Sequence, residues 1–69
     1  MINGIEGMVG EEAVVSVAIP GKIHVGSVRA RGEEWPALSA IGDPIAKDVI
    51  VLVLEVRGGR LVVTPSASA

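Results

Sequence analysis

The dominant pattern along the chain is an aliphatic run that reaches a glycine pair and then returns. Asp48–Arg57 is followed by Gly58 and Gly59 and then by the second apolar run, Arg60–Pro65. β-Branched side chains suit a pleated, half-buried surface, and a glycine pair supplies the positive φ of a tight turn. Proline cannot donate to a strand ladder, so the last residue of the run ends the second strand. The pattern predicts a β-hairpin.

Shorter apolar stretches before the hairpin predict further strands. They cover Glu12–Ile19, Lys22–Ala30 and Glu34–Ser39. The turn dipeptide Pro20-Gly21 separates the first strand from the second. Gly26 interrupts the second strand, which predicts a bulge or a sharp bend. Pro36 within the third strand predicts an edge or bulged position.

Alternation of side chains predicts which residues face the core. The second strand is expected to point three aliphatic residues inward: Ile23, Val25 and Val28. His24 is then expected to face solvent. Ile41 and Ile45 lie in the following connection, Ala40–Lys47, and are expected to close one end of the core.

The order of these elements predicts the fold class. No segment has a sustained helical period, and short strands at regular spacing with turn signals favour a barrel or sandwich. We predict an all-β protein, a small five-stranded OB-fold-like barrel, which limits exposed strand edges by closing on itself. The predicted organisation is a flexible glycine-rich lead-in at 1–10, the barrel domain at 11–65 and a frayed tail at 66–69.

Composition restricts the function. The chain has 69 residues, a net charge of −2, no cysteine and one histidine. Disulfides are therefore impossible and a structural zinc site lacks ligands, while the absence of a clustered basic face argues against nucleic acid. The longest apolar run, Val49–Leu54, is far shorter than the roughly 20 residues that span a bilayer. With no signal peptide at the start, the chain as given is expected to be soluble.

No catalytic constellation is present. His24 has no acidic or cysteine partner at ligand spacing, and no serine lies in a nucleophile-elbow motif. The adjacent glutamates, Glu11-Glu12 and Glu33-Glu34, point to opposite faces of a strand. We predict no enzyme activity, no catalytic residue, no cofactor and no metal.

Two apolar residues on the fourth strand are candidates for an interaction surface. Ile50 and Leu52 make this strand apolar on both faces, with Leu54 joining them if a bulge alters the phase. They form either an exposed patch, which would mark a binding site, or a surface covered by Ile2 and Ile5.

Trp35 is the third interaction candidate and the only aromatic residue. Tryptophan is enriched at the centre of protein interfaces. The alternative is that it caps one end of the barrel, with its indole N–H turned to solvent or to a carbonyl.

An ordered series of short motifs adds a family resemblance. The series is Gly7–Ala13, Ile19–Ile23, Val25-Gly26, Trp35–Ser39, Ile45–Lys47, Val51–Gly58, Leu61–Val63 and Pro65. It resembles the C-terminal soluble domain of NfeD-like proteins, the nodulation formation efficiency D family. The likeness covers nearly all of the chain, and its specificity comes from the order and spacing of the motifs. Asp48 stands where the family commonly has glycine, so mild backbone strain is expected there.

The resemblance implies a non-catalytic interaction or scaffolding domain on a five-stranded OB-fold barrel. It implies a membrane-associated parent with transmembrane helices upstream of this chain, a stomatin- or flotillin-like protein partner, and a role in regulating membrane protease activity. Longer relatives carry a separate serine protease domain, which is missing here, so no protease residue carries over. A homo-oligomer remains an open alternative, because so small a domain has a limited core.

Two other functions stay as alternatives. An OB-fold that binds single-stranded nucleic acid requires stacking aromatics along a basic groove, and this chain has neither. A lipoyl- or biotinyl-carrier barrel is suggested by Gly42–Ile45, but such domains present a lysine at a hairpin tip. Gly58 and Gly59 occupy the tip here, and Lys22 and Lys47 lack the flanking pattern.

Overall fold

The computed structural model describes residues 7–66, which form five strands. The strands are β1 (Glu12–Val17), β2 (Gly26–Ala30), β3 (Glu33–Ser39), β4 (Ile50–Arg57) and β5 (Arg60–Pro65). They close into a barrel in the order β1-β2-β3-β5-β4, with β4 pairing back onto β1. All pairs are antiparallel except β3 with β5, which is parallel. The predicted all-β, five-stranded OB-fold-like barrel is confirmed.

The hairpin predicted from the aliphatic run and the glycine pair is present as β4 and β5. Gly58 and Gly59 have φ of 60° and 80°, and a type I′ turn needs positive φ at both of its central residues. The ladder extends to Pro65, which lies opposite Val51 and ends β5 as predicted. The turn matches the twist of the two strands and therefore fixes their register.

A bulge on β4 determines which side chains point outward. The register against β5 shifts between Val53 and Glu55, which leaves Leu54 as the extra residue. Before the bulge, Val51 and Val53 are buried in the core; beyond it, Val56 packs against the core. The change of phase considered for Leu54 is confirmed, and this side chain is exposed.

Gly26 lies where the backbones at the end of β1 and the start of β2 leave no room for a side chain. A Cβ atom at this position would lie 2.5 Å from the carbonyl oxygens of both Val17 and Ala18. The irregularity predicted from this glycine is located on the opposite strand, since the register shifts between Val15 and Val17 of β1. Glycine is needed here because only a residue without a side chain lets the two backbones approach.

The second strand is shorter than predicted. It begins at Gly26 instead of Lys22, and residues 21–24 form a series of bends. The inward orientation predicted for Ile23 and Val25 is wrong: both are exposed, Ile23 to 84%. Outside a ladder the two-residue alternation has no meaning, because no pleat fixes the side-chain directions. Within the ladder the rule is correct, since Val28 is fully buried.

The connection between β3 and β4 closes one end of the barrel without a helix. Ile45 forms an isolated bridge to Ile19, with reciprocal backbone hydrogen bonds of 2.9 and 2.8 Å, and both side chains are buried. The plugging role predicted for Ile45 is therefore confirmed. The same prediction for Ile41 is wrong, because this residue lies in a bend and is exposed.

Among residues 7–66, the side chains that form the core inside the barrel are aliphatic except for one methionine. Its members are Met8, Ala13, Val15, Ile19, Val28, Ala30, Ala37, Ile45, Val51, Val53, Leu61 and Val63. Full burial of such a side chain contributes about 1.5–3 kcal/mol for the larger residues. Met8 is a core residue that the sequence analysis did not assign. It is held just before β1, where the Gly10 N–H donates to Val53 O and the Glu11 N–H donates to Met8 O.

Both ends of the chain extend beyond the described residues. The first six residues of the predicted lead-in, with the proposed cover from Ile2 and Ile5, lie outside residues 7–66. The predicted tail also lies outside the described residues, except for Ser66. The Ser66 N–H donates to Ile50 O at 2.9 Å. Within residues 7–66, no helix is long and apolar enough to cross a bilayer.

Two backbone predictions from the third and fourth strands are confirmed. Pro36 pairs with Ser27 of β2, whereas pairing of β3 with β5 begins only at the next residue. Proline therefore occupies a stretch of strand that has a neighbour on one side. Asp48 has a φ of 75°, the left-handed conformation that an L-residue adopts at a cost.

Candidate functional site

The outer surface of β4 is apolar although it faces water. Ile50 and Leu54 are 50% and 46% exposed, and Leu52 between them is half-buried. The inner side of the same strand supplies Val51 and Val53 to the core. A sheet with one solvated face normally alternates apolar and polar residues. Packing inside the barrel therefore does not explain why the outer face of β4 carries leucine and isoleucine.

The neighbouring strands extend this apolar surface across the barrel. Val14 of β1 is 42% exposed and lies directly opposite Ile50. On the other side, Val62 of β5, which is only 8% exposed, pairs with the half-buried Leu38 of β3. Leu38, Leu54 and Val62 line one shallow depression of about 300 Å³. We call the whole surface the outer apolar strip; it comprises Val14, Ile50, Leu52, Leu54, Val62 and Leu38.

The two ends of the strip carry different charges. At the β1 end, Glu12 lies opposite Leu52 and is exposed. At the other end, the rim of the depression carries Lys22, and Arg60 lies on the outer side of β5 two residues before Val62. Among residues 7–66, Glu12, Lys22 and Arg60 form no ion pair within the chain.

The remaining charges along the strip are paired locally. Arg57 contacts Glu55 at 2.7 Å, and Lys47 lies 3.7 Å from Asp48. All four side chains are largely exposed, so each pair contributes little to stability. Each of these pairs has no net charge. The net charge around the strip therefore comes from Glu12, Lys22 and Arg60.

The outer surface of β2 and β3 has a different character. The Ser16 hydroxyl donates to Glu34 Oε1 at 2.6 Å, and the Arg29 guanidinium donates to Glu34 Oε2 at 3.2 and 3.3 Å. The Ser16 hydrogen bond is the largest cause that lowers the pKa of Glu34; desolvation opposes it and Arg29 adds to it. These polar groups satisfy one another, and they border the strip, because Arg29 lies directly opposite Val14.

Trp35 lies apart from the strip. Trp35 pairs with the buried Val28 of β2, so its side chain points toward the interior. The side chain is half-buried and packs against the core. Its indole N–H donates to Ala30 O at 3.1 Å. Of the two partners expected for the indole N–H, solvent or a carbonyl, the structure shows the carbonyl. Its use as a contact for a partner stays a prediction.

A second apolar area lies at the loop end of the barrel. A depression of about 330 Å³ is formed there by Pro20, Gly21, Lys22, Ile23, His24 and Gly42. Ile23 at this end is almost fully exposed, and Val25 and Ile41 are exposed as well. These residues lie outside the strand ladder, where no pleat holds their side chains on one face. The members of the outer apolar strip, in contrast, lie on strands that pair with one another.

The described residues show no arrangement typical of catalysis or metal binding. Between residues 7 and 66, no three His, Cys, Asp or Glu side chains lie close enough to hold a metal ion. His24 is exposed, as predicted. The hydroxyl of Ser39 is buried and has no hydrogen-bond partner among the described residues. The sequence analysis singled out Ile50 and Leu52, and the structure places them together; it missed Val14, Leu38 and Val62.

These three were missed because strand pairing, not local pattern, brings them to the strip. The register of β1 against β4 and the parallel pairing of β3 with β5 join segments that are distant along the chain. Apolar residues at alternate outward positions are the signal available in sequence, but that signal does not say which strands become neighbours.

Comparison with known proteins decides the family. A sequence-family model described as the NfeD-like C-terminal, partner-binding domain matches residues 5–65. This chain belongs to that family. The resemblance found in the ordered motifs is thereby confirmed, and the NfeD-like domain is described as one that binds a partner.

Two solved structures are similar to this NfeD-like domain. One is the C-terminal domain of stomatin operon partner protein 1510-C from Pyrococcus horikoshii, with 28% identity and a TM-score of 0.84 over 97% of this chain and 100% of that chain. The other is the soluble domain of a membrane protein implicated in regulation of membrane protease activity from Corynebacterium glutamicum. It has 31% identity and a TM-score of 0.79 over 88% of this chain and 95% of that chain. No curated protein matches the chain.

Proposed function

We propose that this NfeD-like domain is a non-catalytic interaction domain of a membrane-associated protein, and that it binds a stomatin-like membrane protein through the outer apolar strip. The family description supports a partner-binding role. The Pyrococcus neighbour, a stomatin operon partner protein, suggests the class of partner. The Corynebacterium neighbour, a soluble domain of a membrane protein, suggests a parent whose membrane-spanning part lies outside this domain.

The observation that carries the proposal is the apolar outer face of β4. Ile50, Leu52 and Leu54 are arranged on one surface and continue to Val14 on the neighbouring strand. Contiguous exposed apolar surface on a small domain marks an interaction site, whereas isolated residues do not. Interfaces gain most of their affinity from a few such side chains that become fully desolvated.

Regulation of membrane protease activity follows in this proposal from binding alone. The Corynebacterium neighbour is implicated in such regulation, and an interaction domain acts by holding a partner in place. Trp35, the remaining interaction candidate, would then act indirectly, since its indole group secures the end of the barrel through Ala30. A flotillin-like partner would use the same strip.

The alternative functions have less support from the geometry. An OB-fold binds single-stranded nucleic acid with stacking aromatics, but the one aromatic residue, Trp35, faces the core. A carrier barrel needs a lysine at its hairpin tip, and the β4–β5 turn carries Gly58 and Gly59.

The test is a matched pair of substitutions with binding as the readout. Ile50→Lys places a charge in the strip, and Ile23→Lys places the same charge on an exposed isoleucine at the loop end. We expect Ile50→Lys to weaken binding to a purified stomatin-family protein in nanodiscs by at least roughly tenfold, because it would place an unpaired charge in an apolar contact. Ile23→Lys should bind as the wild type does. Biolayer interferometry measures both.

Circular dichroism establishes that the variants are folded. If Ile50→Lys unfolds the domain, Leu54→Ser in the same strip replaces it, since Leu54 lies at a bulge with half of its side chain exposed. A folded strip variant that binds the stomatin-family protein with wild-type affinity would contradict the proposal.

A further inference from the structure

A shallow depression on the β3–β5 side of the outer apolar strip has an apolar lining and a cation at its rim. Leu38, Leu54 and Val62 supply the apolar lining, and Lys22 lies at the rim. The volume of about 300 Å³ is at the lower end of the range of about 300–1,000 Å³ found for ligand pockets. We propose that this depression receives an aliphatic side chain of the protein partner, and that Lys22 binds a carboxylate adjacent to that side chain.

The bulge on β4 shapes this depression. In a regular strand, consecutive residues point to opposite faces, but Leu54 and Glu55 are both exposed because the register shifts between Val53 and Glu55. Both exposed residues line the depression. Bulges are common next to active sites, where they redirect a side chain. This bulge therefore brings an apolar and an acidic side chain to the same border of the depression.

The backbone around Lys22 holds this residue at the rim. The preceding residue, Gly21, accepts a hydrogen bond of 2.9 Å from the Ser39 N–H at the end of β3. A Cβ atom on Gly42 would lie 3.6 Å from Cε and 3.7 Å from Cδ and Cγ of Lys22, so the lysine stem passes over the face of this glycine. A lysine stem supported in this way loses less conformational entropy on binding than a free one.

Lys22 carries the unpaired charge at the depression. The other two charged side chains that line it, Arg57 and Glu55, contact each other at 2.7 Å, whereas Lys22 makes no ion pair within residues 7–66. One ammonium group beside an apolar lining complements a partner that presents a carboxylate beside an aliphatic side chain. Attraction to an anionic bilayer takes a cluster of about four to eight basic residues, so a protein carboxylate fits this rim better than a lipid headgroup.

This inference rests on the proposed function, because it assigns the chemistry of the group with which the partner meets the strip. It adds that the contact segment of the partner contains an aliphatic residue next to an aspartate, a glutamate or a C-terminal carboxylate. Ile50 does not line the depression, so substitutions of Ile50 and of Lys22 separate the two claims.

The first test is zero-length cross-linking. A carbodiimide joins an amine to a carboxylate only where the two groups are in contact, and the chain contains two lysines, Lys22 and Lys47. We expect carbodiimide treatment of the complex with the stomatin-family protein in nanodiscs to join Lys22 to a partner carboxylate, which mass spectrometry identifies. Lys47 is the internal control, since it lies outside the depression and 3.7 Å from Asp48 of its own chain.

The second test measures the binding of matched variants by biolayer interferometry, after circular dichroism has shown that they are folded. We expect Lys22→Gln to weaken binding about threefold to tenfold, and Lys22→Glu on the order of tenfold or more. Lys47→Gln removes an equal charge outside the depression and should bind within about twofold of the wild type. Leu38→Gln should weaken binding about fivefold or more because it makes the lining polar, whereas the volume-conserving Leu38→Met should bind within about twofold of the wild type.

Three results would overturn the inference. The first is a folded Lys22→Gln or Leu38→Gln variant that binds as the wild type does; loss of binding in Ile50→Lys would then leave the proposed function standing. The second is a complex in which Lys47 alone, or neither lysine, is joined to the partner. The third is binding of empty nanodiscs by the wild type that Lys22→Gln abolishes, which would assign Lys22 to a lipid headgroup.

Discussion

Two outer surfaces of this barrel cover the same core, but one exposes polar side chains and the other exposes aliphatic side chains to water. On β2 and β3 the outward groups satisfy one another, with Arg29 and Ser16 both bonded to Glu34. On β4 and its neighbours several outward groups are aliphatic, with Ile50 and Val14 side by side and half-exposed. Both sides complete the same ladder, so folding alone does not require the apolar side.

The comparison separates residues that maintain the barrel from residues that are available for binding. An inward valine cannot be exchanged without loss of packing, because protein interiors are close-packed. An outward isoleucine can be exchanged without that loss, because its removal leaves the core covered.

The largest effect is expected where β1 and β2 meet. Gly26→Ala would place a Cβ atom 2.5 Å from the carbonyl oxygens of Val17 and Ala18. These are backbone atoms and cannot move aside, so we expect a loss of about 3 kcal/mol or more in the free energy of unfolding, or failure to fold. Urea denaturation measures it. Ser27→Ala, one residue along, is the control and should stay within about 0.5 kcal/mol. An unchanged midpoint for Gly26→Ala would show that this approach is not as tight as described.

Adjacent residues on β4 provide the sharpest test of inside against outside. Val51 is fully buried, whereas Ile50 next to it is half-exposed. We expect Val51→Ala to lower the free energy of unfolding by about 2 kcal/mol because it leaves a cavity, and Ile50→Ala to lower it by less than about 1 kcal/mol. Chemical denaturation of both variants gives the comparison. Equal losses would mean that Ile50 belongs to the core in solution, and the outer apolar strip would lose its central residue.

The sequence predicts the barrel well where pairing is local. The β4–β5 hairpin follows from β-branched residues around a glycine pair, and its turn geometry is the one the glycines predict. Prediction failed where the chain leaves the ladder. Ile23 and Ile41 read as core residues because aliphatic side chains are usually buried, yet both lie in bends at the barrel end.

The candidate site was only partly predictable, for the same reason. Ile50 and Leu52 are recognisable because they break the alternation of a solvated strand. The contribution of Val14 depends on the register between β1 and β4, and that of Leu38 on the parallel pairing of β3 with β5. Such long-range pairings are set by closure of the whole barrel. Met8 gave no signal, because no strand pattern includes it.

A moderate gain is expected at the residue that leads into the apolar strand. Asp48 has a φ of 75°, a conformation in which glycine meets no steric penalty. Asp48→Gly should therefore raise the free energy of unfolding by about 0.5–1 kcal/mol, because the exposed contact with Lys47 is worth little. Thermal denaturation measures the change. Asp48→Ala removes the same carboxylate but keeps a Cβ atom, so a gain of equal size in that variant would rule out backbone strain as the cause.

The smallest effect is expected on the charged side and depends on pH. The Ser16 hydroxyl, and after it Arg29, lowers the pKa of Glu34 below the ordinary value of 4.5. A carboxyl group with a lowered pKa in the folded state stabilises the protein above its ordinary pKa, and this contribution disappears as the pH falls through the lowered value. We expect Glu34→Gln to have a slightly lower Tm than the wild type near neutral pH. The difference should vanish in acid.

Thermal melts of both proteins across the acid range provide the measurement. Glu33→Gln is the matched control because Glu33 is the neighbouring exposed carboxylate on β3 and makes no ion pair among residues 7–66. This substitution should leave the pH dependence of Tm unchanged. A Tm difference for Glu34→Gln that persists in acid would mean that the side chain acts through shape instead of charge.

The central claim is that the outer apolar strip is the surface through which this NfeD-like domain binds its partner. The most direct measurement is an NMR titration of the ¹⁵N-labelled domain with a stomatin-family protein in nanodiscs, followed residue by residue. The account predicts that the largest amide changes fall on the strip, at Val14, Ile50, Leu52 and Leu54. Gly32 and Glu33, at the turn between β2 and β3, should stay unchanged. Changes centred on Ile23 and the loop end, or on the charged side, would contradict it.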